Sequence, residues 1–173
     1  LPTETDEDVV GISEIANQVL HTWREYSTKK NRGVRITVST SMFIPKPHSP
    51  FQWEAQVPIQ EYMRKVDLLR DSIKARNVTY NWHKTSLVEA VLSRGDRRVG
   101  DAIEKAWRMG SGLDAWGEYF DFDRWMQAFA DCGLDPDFYA CRERSKDEVL
   151  PWDVIDVGVR KEHLWHEREM AYQ

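Results

Sequence analysis

The chain has 173 residues, 41% hydrophobic and 31% charged, which is the composition of a folded globular protein and excludes a disordered tail. Its net charge of −5 supplies no overall field for nucleic acid, and no apolar run approaches the ~20 residues of a membrane span. Two cysteines make no disulfide framework, so a reducing, cytoplasmic setting with no membrane partner is expected.

The first element is a helix. Thr5 suits the N-cap with Asp8 three residues on, and Asp6 and Glu7 favour the positive end of the helix dipole. Val9, Ile12, Ala16, Val19, Leu20 and Trp23 recur at three- and four-residue spacing, and Asn31-Arg32-Gly33 ends the pattern. A strand over 34–44 follows, with Val34, Ile36, Val38 and Met42 on one face and Arg35, Thr37, Ser39 and Ser41 on the other. Three prolines within 45–50 force the next connection into an extended path. Pro58 then opens a second helix at its first position, with Tyr62, Val66 and Leu69 in the buried stripe. Residues 78–82 are rich in strand formers and are expected to be a second strand.

Beyond residue 84 the pattern is helical. Ser86 with Glu89 spells a capping box, Gly95-Asp96 breaks that helix, and Val99 to Trp107 carries the next. Asp121 caps a helix closed by Gly133, Asp135-Pro136 opens a short one, and 159–172 reads as a charged final helix. The fold class expected is therefore α/β. Residues 1–84 would be βα units of a parallel sheet, and residues 85–173 a helical extension.

The opening Leu1-Pro2-Thr3-Glu4-Thr5 resembles the loop after the fifth barrel strand of radical S-adenosylmethionine enzymes. The runs Phe43-Ile44-Pro45-Lys46-Pro47-His48-Ser49-Pro50-Phe51-Gln52-Trp53, Arg94-Gly95-Asp96-Arg97-Arg98 and Val149-Leu150-Pro151-Trp152-Asp153 are similar to an uncharacterised bacterial subfamily. Its members are often described as Fe-S oxidoreductases and carry a cobalamin-binding-like domain upstream. The resemblance implies that residues 1–84 are the last βα units of an incomplete parallel, partial TIM-like barrel, that the chain is the C-terminal part of a larger enzyme that cleaves S-adenosylmethionine reductively, and that this fragment is inactive alone. It implies cofactor contacts from Leu1, Pro2, Thr3 and Glu4 and from Ser41, Met42 and Phe43. Lys46, His48, Gln52 and Trp53 become candidates for substrate contact, on a loop whose prolines restrict its freedom.

The departure from the family is in the cysteines. A four-iron four-sulfur cluster there needs three thiolates from a Cys-x3-Cys-x2-Cys motif, whereas Cys132 and Cys141 are the whole supply here. S-adenosylmethionine and the cluster thus belong to the intact parent, and none is expected on this chain alone. No metal site is expected either, since His163 and His166 lie on a charged helix without an evident third ligand. The partners expected are the missing N-terminal strands of the parent and, for the isolated piece, further copies of itself. A competing reading makes the chain a non-catalytic, Trp-rich helical module that docks a protein or an RNA. Arg94, Arg97 and Arg98 would then hold a phosphate; in the alternative, Asp96 caps a helix and the arginines pair with nearby acids.

Overall fold

A computed structural model describes residues 1–28, 33–73, 77–80 and 83–173. They form two compact units, Leu1–Met42 with Val57–Asn81, and Phe43–Gln56 with Trp82–Gln173.

The first unit holds two helices and two strands: α1 (Asp6–Tyr26), β1 (Thr37–Thr40), α2 (Ile59–Ser72) and β2 (Asn77–Tyr80). The start of α1 is the one the sequence spells. Thr5 is extended, its hydroxyl accepts the Asp8 N–H, and the Asp8 carboxylate accepts the Thr5 N–H at 2.8 Å, which satisfies two of the orphan donors at the helix end. The helix ends at Ser27, before the expected stop at Asn31-Arg32, which lies outside the described residues. Its buried line is Val9, Ser13 and Ala16, while Val19 of the expected stripe is 51% exposed. Ser13 is tolerated on the inner line because its hydroxyl donates to the Val10 carbonyl at 2.7 Å.

Exposure alternates residue by residue from 33 to 42, as the period-two pattern requires, yet only Thr37–Thr40 is paired as strand. The pairing is parallel, with Thr37 opposite Asn77 and Thr40 opposite Tyr80. Tyr62, Val66 and Leu69 of α2 are buried as predicted, with Pro58 at the N-cap rather than one position inside. Met42, Tyr62 and Val66 form the small core of this unit.

The second unit is helical: α3 (His83–Arg94), α4 (Val99–Arg108), α5 (Phe122–Asp131), α6 (Pro136–Ala140) and α7 (Lys161–Ala171). The breaks at Gly95 and Gly133 and the caps at Asp121 and Asp135 fall where the sequence puts them. The Ser86 box does not. The helix starts three residues earlier, and Ser86 is buried inside it. The reason is tertiary: the Ser86 carbonyl accepts the side-chain amide of the buried Gln56 at 3.1 Å, so the residue is used within the core and not at an end. Ala90, Ala102, Ala106, Ala128 and Ala140 are fully buried, and these small side chains let α3, α4, α5 and α6 approach closely around Phe129 and Trp125.

The partial parallel barrel is thus corrected. Among the described residues helix dominates, and the sheet consists of two four-residue strands, each bonded to one neighbour. A barrel layer needs every strand bonded on both sides, and the strand-forming runs here are too few and too short to supply it. Among the described residues no helix is long and apolar enough to cross a membrane.

Candidate functional site

In the first unit the opening loop is tied down. Lys65 of α2 donates to the Glu4 carboxylate at 2.9 Å and to the Glu4 carbonyl at 3.3 Å, with both side chains about three-quarters buried or more. Next to it, Arg64 bridges Asp6 (2.6 and 2.8 Å) and Glu61 (2.7 Å), and these carboxylates raise its already high pKa further. Leu1 and Thr3 are exposed, and Pro2 and Glu4 are half-buried. Ser41 is exposed, whereas Met42 is spent in the core against Tyr62 and Val66.

The other candidate residues belong to the second unit. Phe43 is half-buried and meets Phe51 edge-on, with centroids 5.9 Å apart. The proline-rich segment runs extended only to Lys46 and then turns twice, with Gln52 N–H donating to the Ser49 carbonyl and Glu54 N–H to the Phe51 carbonyl. These bonds correct the expectation of an extended path throughout, since prolines at 47 and 50 also suit turn positions. Lys46 reaches α3, where it pairs with Glu89 at 2.5 Å. His48 has a positive φ of 55°, which aims its N–H at the Gln52 side-chain oxygen, 3.0 Å away. Trp53 is fully buried and stacks edge-on with Trp165 of α7, in a core that includes Leu150 and Trp152.

Two of the sequence runs quoted above meet at Gln52. Its oxygen accepts the Trp152 indole N–H at 2.6 Å as well as the His48 N–H, which ties the proline-rich loop to the Leu150-Pro151-Trp152-Asp153 run. The third run meets the same loop through Arg94. This side chain is fully buried and donates to the carbonyls of Tyr139 (2.8 Å), Arg142 (2.7 Å) and Glu54. Burial, and then the neighbouring Arg144 and Arg142, push Arg94 down to about 10. Arg144 in turn donates to the Arg94 carbonyl at 2.7 Å and lies over the Trp152 ring. Of the alternatives for the Arg94-Gly95-Asp96-Arg97-Arg98 run, Asp96 accepts the Arg98 N–H and pairs with its guanidinium at 2.7 Å. Arg98 thereby holds the Asp96 carboxyl down at about 2.

The pocket formed around this junction is one that sequence reasoning half found. It has a volume of about 370 Å³ and is lined by His48 and Gln52 from the predicted loop. Asp153, Asp156, Val157, Lys161 and Leu164 complete it from a stretch not singled out for binding. The signal that pointed there was the Leu150-Pro151-Trp152-Asp153 run, which shares no periodicity with the loop. Lys161 pairs with Asp153 at 2.8 Å and donates to the Glu148 carbonyl.

The chain's own residues do not fit an iron-sulfur cluster. Cys132 and Cys141 are its only thiols, and burial, with Asp137 beside it, pushes Cys141 up to about 11, which favours the thiol over the thiolate a metal takes. Among the described residues no three His, Cys, Asp or Glu side chains gather as a metal site.

No family model matches the chain, and no solved structure does. It is similar to an uncharacterized protein of Methanocaldococcus jannaschii, 22% identical over 140 residues. The match takes in 78% of this chain and 28% of that protein, so the chain spans well under half of its relative's length.

Proposed function

We propose that the chain is the C-terminal part of a radical S-adenosylmethionine enzyme, to which it lends cofactor and substrate contacts and not the cluster. The observation that carries this reading is the anchored Glu4: a loop that serves only as a leader has no use for a half-buried ion pair to Lys65 and a full capping box behind it. Such anchoring is what a ligand-binding loop needs to keep its backbone in place. The similarity to a stretch of a much longer protein is also in keeping with a part of a larger protein. In this reading the backbone of Leu1 and Pro2, with Thr3, Glu4 and Ser41, contacts the cofactor. Met42 acts from the core, by holding the end of the strand. Phe43 offers an apolar face, and His48 contributes to substrate contact. Lys46 and Trp53 act as positioning residues, because their side chains are engaged within the second unit, while Gln52, engaged through its oxygen alone, keeps its NH2 for substrate contact.

The test has two arms. The reading frame upstream of Leu1 is expected to encode Cys-x3-Cys-x2-Cys, and its absence overturns the proposal. In the reconstituted intact protein, Glu4→Ala and Phe43→Ala are expected to weaken S-adenosylmethionine binding about tenfold, the scale of one lost polar or apolar contact. Unchanged affinity in both removes the assigned contacts.

A second reading, a docking module for a partner protein, is favoured by the outer aromatic residues of the second unit. Trp107, Trp116 and Tyr119 are each more than half exposed. A reading frame that begins without the cysteine motif would favour it.

A further inference from the structure

We infer that the pocket at the junction of the proline-rich loop and the 153–164 stretch is a binding site for a small neutral ligand that presents a carbonyl, of the amide type, on a compact branched aliphatic body. The inference stands on the second unit alone and does not need the S-adenosylmethionine reading.

The argument begins with Gln52. Its side chain lines the pocket and only 2% of the residue is exposed. Two N–H donors, from His48 and the Trp152 indole, converge on one end of its amide, so that end is the oxygen and the other is the NH2. Among the described residues no acceptor meets that NH2. That NH2 is not shut from solvent and lies on the pocket lining, so it stands open to an acceptor that enters the pocket. His48 adds a second unspent group, for its Nε2 is shut from solvent and meets no hydrogen-bond partner among the described residues.

The remaining walls decide what kind of acceptor. Asp153 and Asp156 put two negative charges on the lining against one from Lys161, and Lys161 is already paired with Asp153. A carboxylate or phosphate would meet like charge, which leaves a neutral carbonyl as the partner for the Gln52 NH2. Val157, Val159 and Leu164 supply the aliphatic side, and a volume of about 370 Å³ suits a small molecule. The loop that carries Gln52 is held by Arg94 and by the Trp53 core, so the donor is in place before the ligand arrives.

The experiment follows Gln52 directly. The isotope-labelled chain is titrated with isovaleramide and, separately, with isovalerate, while the Gln52 side-chain NH2 and the methyl groups of Val157 and Leu164 are observed by NMR. A saturable shift of all three groups is expected with isovaleramide, and binding about tenfold weaker or worse is expected for isovalerate. Val157→Trp, at a position 44% exposed, should block the mouth and abolish the shift. Val159→Trp, 46% exposed, repeats the block should the first variant fail to fold. No saturable shift with isovaleramide, equal response to isovalerate, or binding that survives in the folded Trp variants would each overturn the inference.

Discussion

The two units solve the same problem, holding a loop in place, by different means. In the first, the opening loop is fixed mostly from the surface, by the exposed Arg64–Asp6 pair and an exposed capping box at Thr5, with only the Glu4–Lys65 pair partly buried. In the second, the proline-rich loop is fixed from inside, by a fully buried Trp53 and a fully buried Arg94 that gathers carbonyls from two chain segments. The difference teaches what each fastening is worth. Exposed pairs contribute little each, because water and salt compete for them, whereas a buried hydrogen-bonded cation cannot lose its partners without leaving unsatisfied carbonyls behind.

The largest expected effect is therefore in the second unit. Trp53→Ala removes a whole aromatic side chain from a closed core and should cost about 3–5 kcal/mol of stability by chemical denaturation. Arg94→Ala should cost a similar amount, about 3–5 kcal/mol, through the carbonyls it strands. If either variant unfolds at the wild-type midpoint, the inside fastening is not what holds the loop.

Gly95→Ala comes next. A Cβ there would collide with the Val99 side chain and stand 2.7 Å from the Val91 carbonyl, at the tight passage from α3 to α4. Such overpacking should cost about 1–3 kcal/mol, read as a drop in melting temperature.

Acid should weaken the second unit through Asp96. Its carboxyl is lowered to about 2 from an ordinary 3.8, first by the Arg98 hydrogen bond, so the stability it contributes is fully present above about pH 4 and is lost as pH falls through about 2. With allowance for partial solvent screening the effect is about 1–2 kcal/mol, and Asp96→Asn should flatten that part of the pH-stability curve.

The smallest effect is expected on the surface of the first unit. Arg64→Ala should leave the stability almost unchanged, and what little is lost should shrink further in high salt. A salt-independent loss of several kcal/mol would erase the contrast between the units.

Much of the second unit was legible because its signals are local. Asp121 and Asp135 accept N–H groups two or three residues on, and Gly133 takes the left-handed conformation that ends α5, with φ 66°. The alternation over 33–42 was also legible, but alternation reports which side of an extended segment is wet, not how many neighbours it has. A parallel sheet was expected from that rhythm and a partial barrel from the resemblance, and the two-stranded pairing corrected the barrel. Ser86 failed for the opposite reason: its local signal was a cap, and a distant glutamine claimed it for the core.

The candidate site divides along the same line. Composition and motif drew attention to His48, Gln52 and the Arg94 run, and the resemblance drew it to Leu1–Glu4. Nothing in the spacing of residues 52 and 152 says that a glutamine oxygen and an indole N–H share a bond, and nothing in the Arg94 run says which arginine is buried. The sequence by itself determined helix ends, the wet and dry sides of its segments and the residues able to carry chemistry, because caps, glycines and periodicity act within a few residues. Only the tertiary structure decided that Arg94 clamps a loop, that Trp53 is core and that a pocket opens beside Gln52, because burial and desolvation depend on chain segments a hundred residues apart meeting in space.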